Sequence, residues 1–216
     1  MINITKEILE KMREYARSKI SERRYAHTEA VEKEIAVLAG IYCPEKTDKL
    51  RAAAILHDIT KEYNVEKQLQ LCREYDILID DLVLKSPKCF HAITAKAVAE
   101  DVFGEFVDDE ILLAVRYHTT GRREMTLAEK LLYLADFIEP TRTFESCVAL
   151  RKFFYDGIDT QDAQIHLEKT LLYSFDITIK ELIAEYNVIM TDTVEARNYV
   201  CALVSELEKN GANNAG

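Results

Sequence analysis

The sequence predicts an all-α protein, and three observations carry that class. Apolar residues recur at three- and four-residue spacing through nearly the whole chain. Only six Gly and three Pro interrupt 216 residues, so turns are sparse and helices long. No run of strand length alternates apolar with polar residues.

The elements follow in order. Thr5 is placed to cap a first helix with Ile8, Met12 and Tyr15 on one face. A second helix is expected from about Tyr25 to Ile41, stopped by Pro44. A third starts near Thr47-Asp48 and ends at His57-Asp58, and Asn64 caps a fourth through Tyr75. The pattern between Ile77 and Lys88 is indistinct, and Ser86-Pro87 breaks it. Helices are then expected from about His91 to Phe103, Asp108 to His118 and Thr126 to Ile138, the last closed by Pro140. The C-terminal part reads as a short helix near Glu145 to Tyr155, a long one from Asp159 to about Met190, and a last one from Thr193 to Lys209. Residues 1–209 are expected to form one domain, with a motif core at about 24–142 and C-terminal helices at 145–209; the tail 210–216 is expected to fray.

Composition excludes several classes. A formal charge of −10 makes the chain as a whole repel nucleic acid. The first twenty residues carry charges throughout, without the apolar core of a signal peptide, and no apolar run is long enough to span a bilayer. A soluble cytoplasmic protein is expected. Cys43, Cys72, Cys89, Cys147 and Cys201 are an odd, scattered set without C-x-x-C spacing, and read as reduced, mostly packed thiols.

The chemistry lies in the ordered series His27, His57-Asp58, His91, His118 and Asp136. His57-Asp58 ends the apolar run Leu50 to Leu56, where a carboxylate has little reason to appear. The histidines continue the apolar stripes. His27 shares a face with Val31 and Leu38, His57 with Leu50, Ala53 and Ala54, His91 with Ala95, Val98 and Val102, and His118 with Ile111 and Val115. Four helices thus each deliver an imidazole inward. Any one of them alone reads most simply as a core histidine bonded to a carbonyl. Four together are better satisfied by a shared metal centre. Asp136 falls at the edge of its helix's apolar arc, where an exposed aspartate and a ligand at a cleft rim fit equally well. His166, in the mixed polar segment from Gln161, reads as a surface or weakly structural histidine.

Imidazole and carboxylate donors without thiolate suit Fe, Mn or Co, with Zn or Ni also compatible. His27, His57, Asp58 and Asp136 would bind one ion; His91, His118 and the second oxygen of Asp58 would bind another. Such a pair acts on phosphate esters and anhydrides. Positive charge recurs near these residues at Arg23-Arg24, Lys61, Arg122-Arg123 and Arg142. Most such residues are ordinary surface charge, but Lys61, just beyond Asp58, could neutralise a phosphate oxygen, and Arg142 could clamp a phosphate bidentately.

These residues resemble the HD-domain phosphohydrolase superfamily, an all-α helical bundle with the pattern H…HD…D. Leu56-His57-Asp58-Ile59-Thr60-Lys61, His91-Ala92, His118-Thr119-Thr120-Gly121 and Ala135-Asp136-Phe137-Ile138-Glu139-Pro140-Thr141-Arg142 are similar, more closely, to the YqeK group of bacterial symmetrical bis(5′-nucleosyl)-tetraphosphatases. Glu195-Ala196-Arg197-Asn198 is a less specific likeness. The resemblance implies hydrolysis of diadenosine tetraphosphate to two ADP at a pair of divalent or mixed-valence ions, iron first. It implies His27, His57, Asp58, His91, His118 and Asp136 as ligands, with Asp58 and Lys61 central to catalysis. It also implies phosphate contacts from Lys61, Thr119 and Arg142, and a homodimer. An HD phosphohydrolase for another phosphorylated nucleotide would need the same ions. A nucleotide-sensing module without turnover would be free to lose a ligand, and none is lost here.

Overall fold

The computed structural model describes residue 2 and residues 4–159 and 162–214, with side chains as far as residue 210. Among the described residues the regular structure is helical, without strands, as the periodicity predicts. The capping residues set most of the starts. Thr5 accepts a hydrogen bond from Ile8 N and opens α1 (Lys6–Lys19). Ser21 accepts from Arg24 N and opens α2 (Glu22–Tyr42). After a 3₁₀ turn at Pro44–Lys46, α3 spans Thr47–Leu56, and Asn64 caps α4 (Val65–Glu74). Asp108 caps α7 (Asp109–Tyr117), and Thr126 with Glu129 forms a reciprocal capping box at α8 (Leu127–Ile138).

Several boundaries differ from expectation for local reasons. The indistinct segment holds a four-residue helix α5 (Asp81–Leu84), capped by Asp80. Pro87 starts α6 (Pro87–Phe103) instead of only breaking the chain, because proline suits the first helical turn. α9 spans Glu145–Gly157. Asp162, not Asp159, caps α10 (Ala163–Ala184), which stops short of Met190; Tyr186 beyond it takes φ +56°. α11 (Thr191–Asn214) begins two residues early and keeps helical backbone through Asn214, where fraying from Asn210 was expected; Ala215 and Gly216 lie outside the described residues.

α3 is close to wholly buried from Ala52 to Leu56, and it packs against α2, α1, α7 and α8. α7 contacts α3, α6 and α8, while α10 pairs with α11 and α9. One apolar cluster runs through these helices. A smaller one of Cys72, Val83, Phe90, Ile93 and Met190 lies under the 77–86 segment. Among the described residues, no helix is long and apolar enough to cross a membrane. All five cysteines are free, and Cys43, Cys72 and Cys147 are buried.

Candidate metal centre

The four histidines come from the ends and stripes of four helices. His27 lies one turn into α2, His57 is the C-cap of α3, His91 lies one turn into α6, and His118 is the C-cap of α7. Ending α3 and α7 on these residues turns both rings into the space that α2 and α8 enclose. Three ring pairs touch edge to face, with centroids 5.6 Å apart for His27–His57, 4.9 Å for His57–His118 and 5.0 Å for His91–His118.

Hydrogen bonds fix which nitrogen faces inward in three of the rings. His57 Nδ1 donates to the carbonyl of Ala54 at 2.6 Å, and His118 Nδ1 donates to that of Val115 at 2.7 Å. A carbonyl only accepts, so the proton sits on Nδ1 and Nε2 keeps its lone pair. His27 Nδ1 lies 3.0 Å from Glu139 Oε1. The three Nε2 atoms therefore converge on the carboxylates.

Asp58 divides the set in two. Its Oδ2 lies 3.3 Å from His57 Nε2 and 3.8 Å from His27 Nε2. Its Oδ1 lies 3.1 Å from His91 Nε2 and 3.7 Å from His118 Nε2. Asp136 Oδ1 joins the first group, 3.0 Å from His27 Nε2 and 3.9 Å from His57 Nε2. Two clusters, His27–His57–Asp58 and Asp58–His91–His118, are each tight enough to hold a metal ion. Donor chemistry supports that fit. His27 Nε2, His57 Nε2 and Asp58 Oδ1 are buried without a well-formed hydrogen bond, and such atoms are costly unless something else binds them.

Charge in the cluster is strongly perturbed. Burial works against protonating His27, but Asp136 and Glu139 outweigh it and push its pKa up to about 9. Burial lowers His91 to about 3, with Lys61 reinforcing the shift against the pull of Asp58. His118 is also lowered, chiefly by burial. Burial would raise Asp58 and Asp136, yet their cationic and imidazole neighbours hold both well below the usual carboxylate range.

Three cations surround the cluster. Arg24 reaches Asp58 Oδ2 at 3.2 Å, Arg142 reaches Asp136 Oδ1 at 2.5 Å, and Lys61 Nζ lies 3.2 Å from His91 Nε2. Arg142 Nε and Thr119 Oγ1 are buried with no nitrogen or oxygen partner among the described residues; the thiols of Cys147 and Cys89 lie beside them. Arg23 is exposed, and Arg122 and Arg123 turn to Glu129 and Glu124 instead of the cluster.

Sequence reasoning gave no role to the residues that hold the candidate ligands in place. Glu139 is fully buried. A network of Thr60, Thr94 and Gln68 ties the turn after Asp58 to α6, with Thr60 Oγ1 donating to the carbonyl of His91 at 2.9 Å. Gly121 takes φ +62°, and a Cβ there would come within 2.7 Å of the Phe175 ring and 3.2 Å of Ala196. The Ala196 of the C-terminal motif thus supports the turn that follows His118. Two expectations are corrected. Val102 is 42% exposed and does not share the buried stripe of His91. His166 is fully buried, its Nε2 donating to the Phe154 carbonyl at 2.8 Å, because it lies between α9 and α10 against Phe153 and Phe154.

Known proteins resemble this chain in sequence and in fold. The HD domain family model matches residues 24–141. Symmetrical bis(5′-nucleosyl)-tetraphosphatases of Staphylococcus aureus and Halalkalibacterium halodurans are both 34% identical to the chain. The first alignment covers 88% of this chain and 93% of the relative, the second 83% and 89%. The Bacillus subtilis enzyme of the same name is 30% identical over 85% of this chain and 92% of its own. A crystal structure of a predicted HD superfamily hydrolase involved in NAD metabolism, from Clostridium acetobutylicum, superposes with a TM-score of 0.78 at 35% identity, covering 89% of this chain and 96% of that one. The chain belongs to the HD-domain family and, within it, to the symmetrical bis(5′-nucleosyl)-tetraphosphatases.

Proposed function

We propose that this protein hydrolyses dinucleoside tetraphosphates at their midpoint, diadenosine tetraphosphate and water giving two ADP. The observation that carries the reading is the division of Asp58, with Oδ2 turned to His27 and His57 and Oδ1 turned to His91 and His118. We assign two ions to these positions, iron first, with Mn, Co, Ni or Zn compatible with the same donors. When bound, the ions would polarise phosphoryl oxygens and make water a nucleophile at neutral pH.

The side chains supply the rest. Lys61 stands beside His91 and Arg142 beside Asp136, at opposite ends of the cluster. A phosphate chain laid between them meets a cation on each side of its scissile bond. That suits an anhydride inside a polyphosphate better than an ester at its end. Lys61 would neutralise charge as it develops on a phosphoryl oxygen, Arg142 would clamp a neighbouring phosphate, and Thr119 would donate its hydroxyl to another. The reading includes one domain over residues 1–209, a cytoplasmic location and pairing of two chains, the last measurable by sedimentation.

Product identity tests the activity. The protein, purified without chelator and given diadenosine tetraphosphate, should release ADP alone. ATP with AMP would reject symmetrical cleavage. No turnover of this substrate, with turnover of other phosphorylated nucleotides, would favour the broader phosphohydrolase reading.

A further inference from the structure

Three of the four candidate ligand histidines are oriented in two ways, while the ring of His91 lies against Lys61 Nζ. His57 and His118 donate Nδ1 to the carbonyls of Ala54 and Val115, three residues back in their own helical turns. Local helix geometry suffices to place those rings. His27 has no such local partner. Its Nδ1 meets Glu139, 112 residues away, on the turn that follows α8.

That turn is held from two sides. Glu139 Oε2 accepts the Thr141 backbone N–H at 2.6 Å, and Oε1, the oxygen facing His27, accepts the Thr141 hydroxyl at 2.7 Å. Arg151, from α9, donates to the carbonyls of Ile138, Glu139 and Arg142. A carboxylate fixed this way can accept the His27 proton in one direction only. The ring is thereby set with Nε2 toward Asp58 and Asp136.

We propose that Glu139 is a positioning residue of the metal centre, acting through His27 on the ion that His27, His57, Asp58 and Asp136 would hold. It does for His27 what helical carbonyls do for His57 and His118. It also adds negative charge, which makes the imidazole a stronger donor. The fold consequence is that α9, which carries none of the ligands, fixes one of them through Arg151. This inference rests on the metal-binding part of the proposed function and not on the substrate.

Cobalt(II) titration of the chelator-stripped chain tests it, followed by visible absorption and by bound cobalt per chain. E139A should weaken the ion beside His27 about 10- to 100-fold. The spectrum of the ion beside His91 and His118 should stay unchanged. E139Q, whose amide oxygen still accepts the Nδ1 proton, should recover part of the loss. In an H27Q background, adding either Glu139 substitution should change cobalt affinity no further; E139Q keeps this cycle usable if E139A does not fold. Wild-type affinity for both ions in E139A overturns the proposal, and so does an undiminished loss in the H27Q background. Cleavage is not read in this titration. A chain that binds two cobalt ions and leaves the dinucleotide intact would sink the proposed activity and leave the role of Glu139 standing.

Discussion

His57 and His166 are both fully buried, and each donates one ring nitrogen to a backbone carbonyl. They differ in which nitrogen is used and in what the ring faces. His57 commits Nδ1, so Nε2 points at Asp58 Oδ2, 3.3 Å away, and its ring meets those of His27 and His118. His166 commits Nε2, and its ring stacks on Phe153 and Phe154 with centroids 5.5 and 5.6 Å away. Gly157 lets the chain pass so close that a Cβ would lie 2.3 Å from the His166 ring. Burial therefore does not mark a ligand histidine. What makes His57 a candidate ligand is the convergence of uncommitted nitrogens on a carboxylate.

Substitutions can break this contrast, the largest effect first. D58A should abolish turnover and bring bound metal close to zero, because both clusters use this residue; two ions per chain in D58A, counted by elemental analysis, would contradict it. H166A should leave metal content and turnover per folded molecule unchanged. It should cost about 2–4 kcal/mol of stability in chemical denaturation, from the cavity and the orphaned Phe154 carbonyl. G157A should cost about 1–3 kcal/mol in the same assay, since the stacked ring has little room to retreat.

Smaller effects sharpen the account of the metal cluster. K61A should keep both ions and lower kcat/KM about 10- to 100-fold, mainly through kcat, because the lost contact forms as charge develops on the phosphoryl oxygen; unchanged kinetics would remove Lys61 from the site. pH supplies the mildest probe. With its pKa pushed up to about 9, His27 in the ion-free chain is protonated at neutral pH, so binding at its position should release about one proton per ion. Apparent affinity should climb as pH rises toward 9, measurable by calorimetry in buffers of different ionisation heat. In chelator, His27 binds a proton that the unfolded chain releases near pH 6.5, so its stabilisation should be lost between 6.5 and 9. His91, lowered to about 3, acts oppositely. The unfolded chain binds the extra proton between 3 and 6.5, and stability should rise with pH across that window.

Much of this was legible in the sequence because it is local. Caps depend on side chains within three residues of the orphaned N–H groups; Thr5 and Asn64 cap where the pattern placed them, and Asp108 and Thr126 cap the helices whose starts were expected there. The inward stripes of His27, His57 and His118 follow from helical period alone. Glu139 lies in the motif around Asp136, but its role did not show, because its partner His27 lies 112 residues away. The same holds for Thr60, Thr94 and Gln68, unremarkable apart and bonded only once α4 and α6 pack. His166 was misread because its polar surroundings in sequence say nothing of the two phenylalanines that α9 lays against it.

The division of four imidazoles between the two oxygens of Asp58 is the claim on which the rest depends. Crystals grown with manganese, measured for anomalous scattering, test it most directly. Two peaks about 3.5–4 Å apart, one beside His27 and His57 and the other beside His91 and His118, are the predicted result. A single peak, or two peaks that Asp58 does not join, would contradict it.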